Sequence, residues 1–140
     1  MHDVIVDTNV LIRAFIRRES SDGKLLQMII EDRLQFWFSL GLLRELHRVL
    51  SYPRLVRYGA REETIGAFIQ TLAAHGKAIV PHKTTVCRDA DDNEIIGVAM
   101  AVAENEPVAL ISADKDILVL TGSVERVSIM TPQKFLKTQM

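Results

Sequence analysis

At 140 residues the chain is the size of one domain and long enough to bury about two thirds of its unfolded surface, so residues 1–140 are expected to fold as a single unit. Its composition, 48% apolar and 25% charged, excludes the disordered class, and a lone cysteine, Cys87, excludes an intrachain disulfide. A formal net charge of −1 gives no global pull on polyanions, so any nucleic-acid contact has to come from a local patch or from bound cations.

The start of the chain has no cationic segment followed by a long apolar one, and no apolar run approaches the length of a membrane span. The expectation is a cytoplasmic protein with no signal peptide and no membrane partner.

The first strand is Asp3-Val4-Ile5-Val6-Asp7, running straight into Thr8-Asn9-Val10-Leu11-Ile12. A β-branched apolar run that ends on an aspartate and then switches to helical spacing describes a buried strand delivering a carboxylate to a βα turn. Two readings of Asp7 are open: a cap for the helix, or a group presented at the edge where open α/β sheets place their sites. In the helix Val10, Leu11, Ala14 and Phe15 share one face, and Arg13, Arg17 and Arg18 lie on the other.

Ser20-Ser21-Asp22-Gly23 is expected to break that helix, with a second one over residues 24 to about 31. The aromatics of Leu34-Gln35-Phe36-Trp37-Phe38-Ser39 mark a second strand, after which Ser39 introduces a helix with Leu42, Leu43, Leu46, Val49 and Leu50 as its apolar stripe. Pro53 ends the pattern. Arg54, Arg57 and Arg61 form the densest basic stretch, either a solvated surface or a grip on a polyanion. Residues 62–75 read as a helix stopped by a left-handed Gly76, and Ala78-Ile79-Val80 as a third strand closed by Pro81.

The segment Cys87-Arg88-Asp89-Ala90-Asp91-Asp92-Asn93 is dense in carboxylates and opens a helix from 94 to about 104. That helix is apolar on every side over 98–103 and is therefore expected to be buried. A fourth strand at 108–111 ends in Ser112-Ala113-Asp114-Lys115-Asp116, and a fifth at 127–130 leads to Thr131-Pro132 at the head of a terminal helix. Alternating strands and helices predict a three-layer α/β/α fold on a central parallel five-stranded sheet. Right-handed crossovers then align the carboxyl ends of the strands along one edge.

Acidic stations fall on that edge: Asp7, Asp91 or Asp92, and Asp114 with Asp116, while Glu45, about two turns into its helix, can lean back over them. Singly, each has an ordinary reading as a cap, a turn former or a solvated residue. Together, with no matching cluster of Lys or Arg, they would repel one another by roughly 4 kcal/mol per pair at about 4 Å and an effective dielectric of 20. A divalent cation resolves such crowding, and oxygen donors without His or Cys at metal spacing favour Mg²⁺ or Mn²⁺ over Zn²⁺.

The ordered set V-D-T-N-V-L, S-x5-E-L-x2-V-L, R-D-A-D-D-N-x5-A and I-S-A-D-K-D-I-L resembles the PIN domain, specifically the toxin-like prokaryotic PIN proteins related to VapC, from Val4 to about Leu136. The resemblance implies a Mg²⁺- or Mn²⁺-dependent ribonuclease on a sheet of strand order 3-2-1-4-5. It puts the catalytic acids at Asp7, Glu45, Asp92 and Asp114, with Asp7, Asp92, Asp114 and an auxiliary Asp116 as metal ligands. Asp92 is preferred over Asp91 because it stands seven residues before Ala99, the spacing the family shows.

Where the family commonly has Thr-Gly, this chain has Ser112-Ala113, and Ser112 still supplies a hydroxyl. Thr8 and Asn9 are expected to orient Asp7 or a nearby water. Arg13, Arg17, Arg54 and Arg57 are candidates for contacting the backbone of an RNA, single-stranded or structured. Further partners implied by the resemblance are an antitoxin inserted into the acidic groove and a second copy in a homodimer. Cys87 lacks a His base at motif spacing and reads as structural.

Three rival readings are weaker. A receiver-like signalling module needs an Asp after the third strand, where Ile79-Val80 runs into Pro81-His82, and an aspartyl phosphatase wants an Asp two residues after Asp7, where Asn9 stands. A non-catalytic PIN fold serving only as a binding module is at odds with acids at all four stations.

Overall fold

Stiff, branched side chains suit a strand covered on both faces, and β1 (His2–Val6) lies at the centre of the sheet with Val4, Ile5 and Val6 fully buried. The computed structural model describes residues 2–139. β2 (Leu34–Phe38) and β4 (Val108–Ile111) flank β1, placing Val4 opposite Phe36 and Val6 opposite Ile111. β3 (Gly76–Ala78) and β5 (Val127–Met130) form the two edges, so the order is 3-2-1-4-5 with every pairing parallel, as expected.

Alternate residues of β1 feed two cores. Val4 and Val6 pack with α1 (Thr8–Ile16), α2 (Ser21–Ile30), α3 (Leu40–Leu50), α4 (Glu62–His75) and α7 (Pro132–Thr138). Ile5 packs on the other side with α5 (Asp92–Ala103) and α6 (Lys115–Leu118), joined by Leu42 from α3. α5 is buried around most of its circumference, as its sequence required. Among the described residues no helix is long and apolar enough to cross a membrane.

The structure differs from the sequence reading at four places. Ser20-Ser21-Asp22-Gly23 starts α2 instead of only interrupting the chain: Ser20 is the N-cap and accepts from the Gly23 N–H at 3.1 Å. The third strand comes two residues early, at Gly76–Ala78, and the Ile79 N–H then donates to Phe38 O at 2.9 Å while Val80 is 82% exposed. Gly76 is extended (φ −122°, ψ 178°) and not left-handed. Its lack of a side chain serves packing, because a Cβ there would lie 2.7 Å from Phe36 Cδ2 and 2.9 Å from Phe38 Cε1. Finally, α6 is a single turn that the expected elements did not include.

Because an alanine can adopt the backbone of Gly76, the penalty of Gly76→Ala is steric alone. It should lower stability by about 1–3 kcal/mol, the usual range for overpacking a filled site. Urea unfolding of the two proteins measures this, and an unchanged midpoint would show that the two phenylalanine rings can move aside.

Candidate metal centre

β1 hands its register on to Asp7, whose N–H donates to Ile111 O at 2.9 Å. Asp7 occupies the N-cap position of α1, yet its side chain makes no cap hydrogen bond; the N–H groups of Val10 and Leu11 go to its backbone carbonyl. The carboxylate, 8% exposed, instead accepts from Ser112 Oγ at 2.8 Å. Ser112, one residue past β4 and fully buried, accepts in turn from the Asp114 N–H at 3.0 Å. Asp114 then caps α6, its Oδ1 accepting from the Asp116 N–H at 2.8 Å. One relay thus places the three acids contributed by the ends of β1 and β4 and by α6: Asp7, Asp114 and Asp116.

Glu45 leans back over the same edge, where its Oε2 accepts from Thr8 Oγ1 at 3.3 Å. The hydroxyl of Thr8 is therefore given to Glu45, and Asn9 is exposed. On the far side the acidic loop is fixed to the head of α5 by Asn93, whose carboxamide accepts from the Cys87 N–H at 2.8 Å and donates to Cys87 O at 3.3 Å. Asp92 follows from that anchor, and Asp89, Asp92 and Asp116 each bring a carboxylate oxygen within 4.8 Å of the other two. Asp91 is outside that trio and lines, with Glu45, Glu94, Gly41, Arg48 and Ala90, an open pocket of about 350 Å³.

The electrostatics show how close these groups lie. Burial pushes Asp92 up from 3.8 to about 7, helped by the charges of Asp114, Asp89 and Asp7 and by a hydrogen bond with Asp114. Burial also raises Asp7, with the Asp114 charge adding to it, while hydrogen bonds from Ser112 and the Thr8 backbone and the Arg13 charge pull the other way. Glu45 is raised by burial and by the charges of Asp7 and Asp91, against its hydrogen bond from Thr8 and the charge of Arg48. Asp7 is thus felt both by Glu45 and by Asp92. An all-carboxylate donor set of this kind suits a hard divalent cation.

Two acids escaped the sequence reading. Asp89 was part of the acidic loop but not singled out; its signal was the D-x-D spacing, since its Oδ1 accepts from the Asp91 N–H at 2.9 Å. Glu94 reads from sequence as an ordinary first-turn residue of α5. Basic groups reach this edge singly: Arg88 Nη2 lies 2.8 Å from Asp116 Oδ1, and the charges of Arg13 and Arg48 act on Asp7 and Glu45.

The other arginines are placed unequally. Arg13 is tied to the buried Asp22 at 3.1 Å and Arg17 to Glu19 at 3.3 Å. Arg54 lies over the Tyr52 ring at 5.2 Å and Arg57 over Tyr58 at 4.8 Å. Cys87 is buried with Sγ 3.6 Å from Asp116 O and 3.9 Å from Asp92 Oδ2, and burial together with the charges of Asp92, Asp116 and Asp114 holds the thiol protonated.

A carboxyl whose folded-state pKa is raised binds more protons folded than unfolded between the two values. Metal-free stability should therefore be penalised progressively as pH rises from about 4 to about 7, and by a constant amount above that. In chelator, Asp92→Asn should melt higher than wild type at pH 8, by a gap that closes towards pH 4. After allowance for solvent screening of a half-buried group the gap is worth about 1 kcal/mol, or a few degrees. A gap that does not vary with pH would mean that Asp92 is not crowded by its neighbours.

Comparison with known proteins bears on this arrangement. A family model described as the PIN domain matches residues 3–116. An uncharacterized protein of Methanocaldococcus jannaschii is 30% identical over 135 residues, spanning 96% of this chain and 79% of that protein. The structure of the T. brucei RRP44 PIN domain aligns with a TM-score of 0.55 over 98% of this chain and 80% of that one, at 13% identity, a likeness of fold alone. With the family match running from β1 through the acids after β4, and with the strand order the resemblance implied, this chain belongs to the PIN domain family, whose fold is a nuclease fold.

Proposed function

We propose that the chain is a Mg²⁺- or Mn²⁺-dependent endoribonuclease, a single domain over 1–140, acting as the toxin of a toxin–antitoxin pair. The observation that carries the reading is the convergence of Asp89, Asp92 and Asp116 within 4.8 Å, beside a buried Asp7 linked through Ser112 to Asp114. Asp7, Asp92, Asp114 and Asp116, now joined by Asp89, are the residues that would hold the cation. When bound, it lowers the pKa of a water and offsets the charge of a phosphodiester.

The chain's own groups have definite tasks in this reading. Ser112 donates to one oxygen of Asp7 and so fixes the carboxylate that would hold the cation; Thr8 orients Glu45, which is raised in pKa and suited to proton transfer. Hydrolysis needs no nucleophilic side chain, in keeping with a protonated Cys87. Of the arginines, Arg54 and Arg57 are freest to meet RNA, since Arg54 lies over the half-buried Tyr52 ring and Arg57 over the exposed Tyr58 ring, while Arg13 and Arg17 are held in ion pairs. The antitoxin reading fits an acidic edge that a cationic segment would neutralise, and a homodimer is proposed on the resemblance alone.

The deciding assay uses end-labelled single-stranded and hairpin RNAs with Mn²⁺, Mg²⁺ or chelator. Wild type should cut in metal only. Asp7→Asn and Asp92→Asn should each lose about a hundredfold or more, because a missing ligand charge removes several kcal/mol of transition-state stabilisation. Asp91→Asn should stay close to wild type. Cleavage in chelator, or wild-type rates from Asp7→Asn, would refute the reading.

A further inference from the structure

Glu45 and Asp92 belong to different helices, and the loop between them runs through α4 and β3, so their separation is not set by local chain geometry. One side-chain hydrogen bond among the described residues joins the heads of those two helices. Ser39, the N-cap of α3 and 2% exposed, donates from Oγ to Glu94 Oε2 at 2.6 Å, and the same Oγ accepts from the Leu42 N–H at 3.1 Å. A hydroxyl has one proton, so holding Glu94 takes the only donor of this serine while one of its lone pairs caps α3, and the two bonds fall on different elements. The distance is that of a hydrogen bond to a charged oxygen.

A second, independent feature lies beside it. Gly41 sits in the first turn of α3, where glycine weakens a helix, with no positive φ to require it. A Cβ at Gly41 would come 2.5 Å from Glu94 Oε2 and 3.0 Å from Glu94 Cδ. The space that the missing side chain leaves is the space the Glu94 carboxylate fills.

We propose that Glu94, clamped by Ser39 over Gly41, is a positioning residue that locks the head of α5 to the head of α3 and so fixes Asp92 relative to Glu45 and Asp7. The proposal rests on the metal-dependent reading of the site given above. Glu94 acts through its shape and its accepted hydrogen bond, not as a ligand.

Three variants test it, with the Mn²⁺ dissociation constant from calorimetry and the melting temperature in chelator as readouts. Glu94→Ala removes the clamp. Gly41→Ala adds a helix-favouring methyl and displaces only the flexible end of Glu94, so it should detach the carboxylate without lowering the metal-free melting temperature. Both should weaken Mn²⁺ binding about tenfold, the lower range for losing a group that supports a metal ligand. Glu94→Gln keeps the size and an acceptor oxygen and should bind Mn²⁺ nearly as wild type does.

Wild-type affinity in both Glu94→Ala and Gly41→Ala overturns the proposal while leaving the metal site standing. Loss in Glu94→Gln equal to that in Glu94→Ala also overturns it, by showing that the charge of Glu94 matters and not its position. Failure of wild type to bind Mn²⁺ overturns the reading of the site and this inference with it.

Discussion

A carboxylate carried to 8% exposure at the end of a central strand has to be met by a proton donor, because an unpaired buried charge costs far more than a fold of this size can absorb. At Asp7 that donor is the Ser112 hydroxyl, and much of the site follows from their meeting. Ser112 can reach Asp7 only because β1 and β4 run parallel in the register that sets Val6 against Ile111. Its oxygen then accepts from Asp114, and Asp114 from Asp116, so the path of the chain after β4 is bent around one hydroxyl. Among the described residues no buried side-chain nitrogen or oxygen is left without a partner.

Repulsion works against this arrangement and local anchors hold it. The segment between β3 and α5 crosses α5 where the His82 N–H donates to Gly97 O at 2.9 Å, and a side chain at residue 97 would collide with His82 O. Its other end is fastened by the two-way pairing of Asn93 with the Cys87 backbone. Between those points the loop carries Asp89 towards Asp92, with Arg88 offsetting part of the charge at Asp116. A chain that is nearly neutral as a whole therefore gathers Asp7, Glu45, Asp89, Asp92, Asp114 and Asp116 on one edge.

The strands and their parallel arrangement were legible because each strand ends in a turn signal and alternates with helices, while their order came from the resemblance to the PIN domain. The third strand was misplaced because Ile79 and Val80 have the stronger β preference, while the actual register is chosen by the rings of Phe36 and Phe38, which tolerate only a glycine opposite. The start of α2 was missed because Ser-Ser-Asp-Gly has the composition of a loop and the geometry of a cap. In the site, Asp7, Asp92 and Asp114 stood out by sitting at element ends. Glu94 did not, since its meaning depends on Ser39 and Gly41, more than fifty residues away in sequence. The engagement of Arg13 by Asp22 was equally hidden, because it depends on how α1 and α2 pack.

The Asp7–Ser112 hydrogen bond spans 105 residues, and it orders events in time as well as in space. During synthesis β1 emerges before β4, so until residues 108–111 follow, the nascent chain holds Asp7 without this partner strand. Contacts of such long range form last, after the cost of closing the loop has been met. A nascent chain that has not yet reached β4 thus carries Asp7 and Glu45 without their arrangement, and whatever the finished edge does to the polymers around it begins only once β4 and the turn after it have left the tunnel.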